Sequence, residues 1–253
     1  MTGRLTIVGL GPGAPEMQTP QASAALAQAS DLVGYATYLD RVPARPGQAR
    51  HVSDNRVELD RARHALALAD AGRDVAVVSS GDPGVFAMAS AVFEAVEHGA
   101  LSWRALDIVV VPGVSALFAA AARLGAPLGH DFCAISLSDN LKPFDVVLAR
   151  LRAAASAGFV IALYNAASRA RPWQLGAAFD ALRAILPSDT ATVFATAISR
   201  GDEHVTITRL AEADPTQADM RTLVMIGTAA TRRIERPGRE PWLYTPRFHP
   251  AAA

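Results

Sequence analysis

Residues 79–86 read Ser79-Ser80-Gly81-Asp82-Pro83-Gly84-Val85-Phe86, a polar turn in which an apolar run ends. The run before it, Val75-Ala76-Val77-Val78, has the length and composition of a buried strand, and the residues after it form an alanine-rich, helix-like pattern. A strand that leads through a loop into a helix is typical of open α/β sheets, where ligands bind beyond the carboxyl ends of the strands. The segment therefore predicts both a fold class and a binding loop.

The N-terminus repeats this construction, since Leu5-Thr6-Ile7-Val8 runs into Gly9-Leu10-Gly11-Pro12-Gly13. With Ala14 in the third small position, the loop has the glycine spacing of dinucleotide-binding proteins. Two features argue against a dinucleotide. Pro12 lacks an N–H that could bind a pyrophosphate, and the acid expected at the end of the second strand is missing, because Asp31 precedes that strand. We interpret the loop as a plain turn or, better, as a ligand loop that does not bind phosphate.

The first half of the chain alternates strands with helices, which predicts parallel pairing through right-handed crossovers. The predicted strands cover residues 5–9, 31–35, 74–78 and 108–111. The predicted helices cover residues 20–29, 57–71, 86–97 and 115–124.

The second half predicts a mixed sheet. Its predicted strands are 132–137, 159–164, 192–197, 205–209 and 223–226, and its predicted helices are 144–155 and 173–186. The alternating Val205-Thr206-Ile207-Thr208 follows a turn-like Arg200-Gly201-Asp202, which predicts a hairpin with the preceding strand. We therefore expect two α/β domains, 1–113 and 114–253, with an irregular proline- and arginine-rich segment over residues 236–253.

The composition argues against several classes of protein. The chain has 253 residues, is 51% hydrophobic and carries no net charge, so nothing global favours nucleic acid or an anionic membrane. No apolar run reaches the roughly 18 residues that a membrane-spanning helix needs. The lone cysteine, Cys133, cannot form a disulfide within the chain, and the six histidines are scattered singly, so no metal site is predicted. The N-terminus leads straight into a predicted strand, so no signal peptide is expected, and the single cysteine fits a reducing cytoplasm.

Polar residues also follow several other predicted strands. Asp82 either caps the next helix or accepts a hydrogen bond from a ligand. The loop Ser136-Leu137-Ser138-Asp139-Asn140-Leu141-Lys142-Pro143 combines an acid, two hydroxyls, an amide and the only lysine, and its alternative interpretation is a helix cap. Tyr164-Asn165 and Gly227-Thr228 end two further strands. So many polar strand ends favour one shared ligand site over separate caps.

In their order along the chain, these motifs resemble the tetrapyrrole methylases, a family of S-adenosylmethionine-dependent enzymes. The resemblance covers nearly the whole chain, and it is the order of the motifs that is specific. It is carried by Gly11-Pro12-Gly13, Ser80-Gly81-Asp82-Pro83, Pro112-Gly113-Val114-Ser115-Ala116, Tyr164-Asn165 and Val224-Met225-Ile226-Gly227. The chain departs from the family pattern at Ala14, at Ala166 and at Gly227-Thr228-Ala229.

The resemblance implies two α/β domains with S-adenosylmethionine in the cleft between them, bound mainly by main-chain groups, and it also implies a homodimer. The implied cofactor-binding residues are Leu10, Gly11, Pro12, Gly13, Ser80, Gly81, Asp82, Val85, Phe86, Ser115, Ala116, Tyr164, Asn165, Thr192, Gly227 and Thr228.

A finer resemblance is to the branch of the family that methylates C17 of precorrin-3B and contracts the macrocycle to precorrin-4 in cobalamin biosynthesis. It is carried by Gly34-Tyr35-Ala36-Thr37-Tyr38 and by residues 79–89, 130–139 and 163–165. Ring contraction needs a proton acceptor. The candidates are Asp139, His51 and Asp82, in that order. The carboxylates of a tetrapyrrole substrate imply basic partners, for which the candidates are Arg56, Lys142 and Arg200.

Other functions remain as alternatives at this point. One is another precorrin or cobalt-precorrin methyltransferase of the same fold, although the single cysteine favours the metal-free version of the pathway. A second is a nucleotide-binding oxidoreductase, which Pro12 disfavours. A third is a binding protein without catalytic activity.

Overall fold

The computed structural model describes residues 3–54, 57–168 and 170–248. The chain divides into two compact units, Met1–Ser115 and Ala116–Ala253. The division falls immediately before a helix that begins at Ala116.

The first unit is built on a five-stranded parallel sheet, as the sequence predicts, with strand order β3-β2-β4-β1-β5. Its strands are β1 (Arg4–Gly9), β2 (Asp31–Tyr35), β3 (Ala49–Ser53), β4 (Asp74–Ser79) and β5 (Asp107–Val111). Its helices are α1 (Pro20–Gln28), α2 (Ala36–Leu39), α3 (Glu58–Asp70) and α4 (Met88–His98). Short 3₁₀ turns cover Pro15–Met17 and Leu101–Ala105.

Apolar residues cover both faces of this sheet, because neighbouring residues of a strand point to opposite sides. In β1, Leu5 and Ile7 pack with α3 and α4, whereas Val8 packs with α1 and α2. In β4, Val77 and Val78 divide between the two layers in the same way. A parallel sheet buried on both sides explains why its strands read as continuous apolar runs.

The second unit contains a mixed five-stranded sheet with the order β10-β9-β11-β8-β7, in which only β7 and β8 are parallel. Its strands are β7 (Phe132–Ser136), β8 (Val160–Tyr164), β9 (Ala191–Thr196), β10 (His204–Arg209) and β11 (Thr222–Ile226). Its helices are α5 (Ala116–Leu124), α6 (Phe144–Ser156) and α7 (Gln174–Arg183), and 3₁₀ turns cover Leu210–Glu212 and Pro215–Gln217. The predicted hairpin of β9 and β10 is confirmed.

Helices α6 and α7 cover one face of the mixed sheet. Leu151 of α6 and Phe179 of α7 are fully buried against residues of β8 and β9, and the ring of Phe179 meets that of Phe194 edge-on at 6.0 Å between centroids. This core gives β7 and β8 a rigid base, so that the loops at their carboxyl ends have a fixed origin.

Two expectations about secondary structure are corrected. Residues 236–253 were expected to be irregular, but β12 (Arg232–Arg236) and β13 (Arg239–Tyr244) form a hairpin that pairs with β6 (Gly125–Ala126). Pro237 and Gly238 (φ +65°) occupy the turn, and Arg236 stacks over the Trp242 ring at 4.0 Å. Strand β3 was not predicted, because it is a short, polar edge strand.

Three glycines let the main chain pack closely where β1, β4 and β5 end. A Cβ atom on Gly113 would lie 2.2 Å from the carbonyl oxygen of Gly81. A Cβ atom on Gly9 would lie 2.7 Å from both the Gly113 nitrogen and the Gly81 oxygen. Since no side chain fits at these distances, the loops after the three strands are held together by direct main-chain contact.

At the opposite edge of the same sheet, the first residue of β2 is a buried acid. Asp31 accepts hydrogen bonds from Ser30 Oγ (2.6 Å) and Arg73 Nε (2.7 Å), and its Oδ1 lies 2.9 Å from His51 Nε2. The other nitrogen of His51 lies 3.0 Å from His64 Nε2. Burial raises the pKa of Asp31, but the hydrogen bonds from Arg73, Ser30 and His51 outweigh it and lower the pKa to about 2.

We expect Asp31→Asn to destabilise the fold by about 2 kcal/mol at neutral pH, because the ionised carboxylate is the preferred partner of these donors. A folded-state pKa near 2 lies below the unfolded value, so this stabilisation is present above about pH 4 and is lost as the pH falls towards 2. Urea unfolding at pH 7 and pH 3 should show that the difference in unfolding free energy between parent and variant is smaller at pH 3. An equal difference at both pH values would contradict the conclusion that the ionised Asp31 carboxylate stabilises the fold. Asp107→Asn, whose acid pairs with Arg4 on the surface, is the control.

Candidate functional site

The two predicted glycine loops of the first unit meet at the carboxyl edge of its sheet. The Gly81 N–H donates to the Gly11 carbonyl (2.9 Å), and the Gly11 N–H donates to the Gly81 carbonyl (3.2 Å). Both glycines have positive φ, +71° and +63°, which L-residues with side chains rarely adopt. Leu10, Gly11, Pro12 and Gly13 therefore lie beside Ser80 and Gly81, as a shared site requires.

Asp82 ties these loops together through both oxygens of its carboxylate. Oδ1 accepts from the Gly84 N–H (2.8 Å), and Oδ2 accepts from the Gly113 N–H (3.1 Å) after β5. Since α4 begins only at Met88, Asp82 does not cap that helix. Its carboxylate fixes the loop in which it lies and connects that loop to the next strand end.

Arg41 is a residue of this site that the sequence analysis missed. Its Nη1 donates to Ser80 Oγ (3.1 Å), and its Nη2 donates to the carbonyls of Leu10 (3.1 Å) and Gly11 (3.0 Å). One guanidinium thus donates hydrogen bonds to several carbonyls of the first glycine loop and to Ser80 of the second. No local pattern marks Arg41, because its partners lie 28 to 39 positions away.

Val85 and Phe86 complete the loop after β4. The Val85 N–H donates to the Asp82 carbonyl (3.3 Å), and Phe86 has a positive φ of +53° with a half-exposed ring. A bulky residue in this conformation costs energy that the surrounding loop must offset. Ser115 is buried and directly precedes Ala116, the first residue of α5.

In the second unit, Tyr164 and Asn165 lie where β8 ends. Tyr164 Oη accepts from the Leu117 N–H (3.1 Å) in the first turn of α5. Asn165 has a positive φ of +54°, which asparagine tolerates, and its Nδ2 donates to Ser136 Oγ (2.8 Å) at the end of β7. The ends of the two parallel strands are joined by this bond.

The structure does not bring Thr192, Gly227 and Thr228 to that edge. Strand β11 runs antiparallel to β8, so Gly227 lies at the amino end of β8, where its N–H donates to the Ala191 carbonyl (2.8 Å). Thr192 is fully buried within β9 beside it. The Thr228 N–H donates to Thr231 Oγ1 (2.9 Å).

Asp139 lies in the loop that follows β7, and Arg171 faces it. Arg171 Nε lies 2.5 Å from Asp139 Oδ1, and Arg171 Nη2 donates to Asn140 Oδ1 (2.6 Å). Neither the loop of Asp139 nor that of Arg171 belongs to a helix or a strand, so their pairing could not be read from periodicity.

The remaining candidates do not belong to the glycine loops. His51 lies in the middle of β3 and is bound to Asp31 at the amino edge of the sheet. Lys142 lies in the same loop as Asp139, and burial and the positive charge of Arg150 lower its pKa. The Arg200 N–H donates to the Ala197 carbonyl in the turn after β9. Arg56 lies outside the described residues.

Within the described residues, no three histidine, cysteine or carboxylate side chains approach closely enough to hold a metal ion. The helices of residues 3–54, 57–168 and 170–248 include none that is long and apolar enough to cross a membrane. The glycine loops of the first unit present main-chain N–H and C=O groups on a surface whose shape is fixed by Asp82 and Arg41. Such a surface suits a ligand with hydroxyl, amide or ammonium groups.

Comparison with known proteins agrees with this chemistry. A Precorrin-3B C(17)-methyltransferase from Sinorhizobium sp is 55% identical over 253 residues, 100% of both chains. The crystal structure of the methyltransferase CobJ matches with a TM-score of 0.92 and 51% identity, over 96% of this chain and 100% of that one. Uroporphyrin-III C-methyl transferase from Thermus thermophilus, complexed with S-adenyl homocysteine, matches with a TM-score of 0.66 and 25% identity, over 89% of this chain and 97% of that one.

The sequence profile of the Tetrapyrrole (Corrin/Porphyrin) Methylases matches residues 4–214, which include both glycine loops of the first unit and Tyr164-Asn165 of the second. With a full-length relative at 55% identity as well, the chain belongs to the tetrapyrrole methylases.

Proposed function

We propose that the chain is an S-adenosylmethionine-dependent methyltransferase of cobalamin biosynthesis that methylates C17 of precorrin-3B. The observation that carries the proposal is the 55% identity to a Precorrin-3B C(17)-methyltransferase over the full length of both chains. The match to CobJ, at a TM-score of 0.92, supports the same assignment. Contraction of the ring to give precorrin-4 belongs to this proposal.

The loops after β1 and β4 are the proposed cofactor site. Gly11 and Gly81 hold the two main chains in contact, Asp82 and Arg41 fix the loops from their sides, and Pro12 removes a donor that a phosphate would use. S-adenosylmethionine has no phosphate and presents hydroxyl, amine and carboxylate groups, which main-chain atoms can bind. Tyr164 and Asn165 are proposed as contacts from the second unit, and the roles of Thr192, Gly227 and Thr228 stay predictions.

The bound cofactor supplies an electrophilic methyl group, and the macrocycle supplies the carbon that attacks it. The contribution of the protein is mainly to orient the two, because methyl transfer is an in-line displacement for which positioning provides much of the rate. Ring contraction additionally needs a group that accepts a proton from the substrate. Asp139, His51 and Asp82 stay the predicted acceptors. In the structure, Asp82 holds two main-chain N–H groups and His51 is bound to Asp31.

The substrate is proposed to bind through its many carboxylates, for which Lys142 and Arg200 are candidate partners. A homodimer in the cytoplasm also belongs to this proposal, supported by the family resemblance and by the single cysteine, which suits a reducing compartment. Light scattering of the purified chain tests the dimer directly.

Calorimetric titration should show that S-adenosylhomocysteine binds at one site per chain and that NADH does not. The physical reason is the pair of glycine loops, in which Pro12 lacks the N–H that a phosphate would use. The purified chain with S-adenosylmethionine should then convert precorrin-3B to a product heavier by one methyl group, and NMR of that product should place the methyl at C17. The same assay with the cobalt complex of the substrate tests the alternative of a cobalt-precorrin methyltransferase. Binding of NADH with no response to the thioether contradicts the proposal.

Asp82→Ala should weaken cofactor binding about tenfold or more, which corresponds to about 1.4 kcal/mol. The carboxylate does not need to touch the cofactor for this effect, because its loss frees the N–H groups of Gly84 and Gly113 and loosens both loops. Unfolding free energy should fall by about 1–2 kcal/mol.

The measurement pairs the dissociation constant of S-adenosylhomocysteine with a thermal unfolding curve. Glu94→Ala, on an exposed position of α4, is the control for removing an acid from the first unit. If the dissociation constant is unchanged and the midpoint temperature of unfolding falls, Asp82 only stabilises the turn and does not contribute to cofactor binding.

A further inference from the structure

The Asp139–Arg171 pair lies at the carboxyl edge of the only two parallel strands of the second sheet. Asp139 follows β7, and the loop that carries Arg171 follows β8. The two strand ends are joined by the hydrogen bond from Asn165 Nδ2 to Ser136 Oγ. In α/β sheets this edge is the usual place of a ligand.

Only two of the three guanidinium nitrogens of Arg171 contact other residues that the structure describes. Nε faces Asp139 Oδ1 and Nη2 donates to Asn140, whereas Nη1 makes no hydrogen bond to any residue that the structure describes. The side chain keeps one third of its surface exposed. Arg171 is therefore held in one orientation with further donors available, which is the arrangement that binds a carboxylate through two parallel bonds.

Two further donors belong to the segments that carry Asp139 and Arg171, namely Lys142 in the loop after β7 and Gln174 three residues after Arg171. Lys142 forms no salt bridge with an acid among the described residues, and burial and the positive charge of Arg150 lower its pKa. Gln174, the first residue of α7, is 2% exposed, and its Nε2 has no hydrogen-bond partner in the described part of the chain. A buried donor without a partner is costly, and an anion nearby would reduce that cost.

Asp139 is poorly placed to accept a proton from a substrate. Its Oδ1 is shielded from solvent and lies 2.5 Å from Arg171 Nε, a contact that is an ion pair without hydrogen-bond geometry. Only 21% of its side chain is exposed. These contacts suit a carboxylate that holds an arginine in place better than one that must exchange a proton with a bound macrocycle.

We propose that Arg171 binds a side-chain carboxylate of the tetrapyrrole substrate and that Asp139 is the residue that positions Arg171 for this contact. The inference rests on the proposed function, because it takes the substrate to be a polycarboxylated macrocycle. It replaces the predicted role of Asp139 as proton acceptor with an indirect role, exerted through one arginine.

A double-mutant cycle separates the two roles of Asp139. The variants are Asp139→Asn, Arg171→Ala and the double variant, and Arg171→Gln serves as a second arginine variant in case the first does not fold. Steady-state conversion of precorrin-3B gives kcat and KM, and titration of precorrin-3B in the presence of S-adenosylhomocysteine gives its dissociation constant without turnover. Arg152→Ala, which removes an exposed cation of α6, is the matched control.

We expect either single variant to raise KM and the dissociation constant of precorrin-3B about tenfold, since a charge-assisted hydrogen bond is lost or misplaced. The turnover number should change little, and the affinity for S-adenosylhomocysteine should stay the same. In the Arg171→Ala background, Asp139→Asn should have almost no further effect, because a residue that acts through another has nothing left to act on.

Two results would overturn the inference while leaving the proposed function intact. The first is an Asp139→Asn variant whose kcat falls equally with and without Arg171, since that is the behaviour of a proton acceptor. The second is an unchanged KM in both arginine variants. If the parent chain binds S-adenosylhomocysteine but does not convert precorrin-3B, the proposed function itself fails, and this inference fails with it.

Discussion

The structure of the first unit depends on the close approach of three main chains at the carboxyl edge of its sheet. Gly9, Gly81 and Gly113 allow the ends of β1, β4 and β5 to meet where no Cβ would fit. Once these strand ends are fixed, the loops that follow can only leave the sheet side by side. The position of the candidate cofactor site is therefore a consequence of backbone packing before any functional side chain is considered.

Side chains at this edge serve mainly to hold main chain. Asp82 binds two N–H groups from different loops, and Arg41 binds several carbonyls of the glycine loop. In the second unit, Asn165 joins two strand ends, and Asp139 holds Arg171. In each case a charged or amide group restrains a loop that has little secondary structure of its own, which leaves other polar groups of that loop for a ligand. Pre-ordering of this kind lowers the entropy lost on binding.

Much of the fold could be predicted because its strands are apolar runs that end in glycine, proline or polar turns. This holds for β1, β2, β4 and β5, and the order of the loops indicated the family. Edge strand β3 and the hairpin of β12 and β13 were missed, since their residues are largely polar or arginine-rich. The direction of β11 could not be read from its sequence either. Gly227 was therefore predicted to share a site with Asn165, although Gly227 lies at the amino end of β8 and Asn165 at its carboxyl end. Contacts made by long side chains, such as those of Arg41, produce no repeating pattern in the sequence from which they could be predicted.

The strand order has a consequence for how the chain comes to be folded. β1 lies between β4 and β5, whose first residues are Asp74 and Asp107. During synthesis the apolar residues of β1 therefore have no strand to pair with until a large part of the first unit has left the ribosome. Pairings this distant in sequence form slowly, and an exposed apolar strand can associate with other chains in the meantime. β1 is thus made before both of its partner strands and is fully paired only after the second of them has been made.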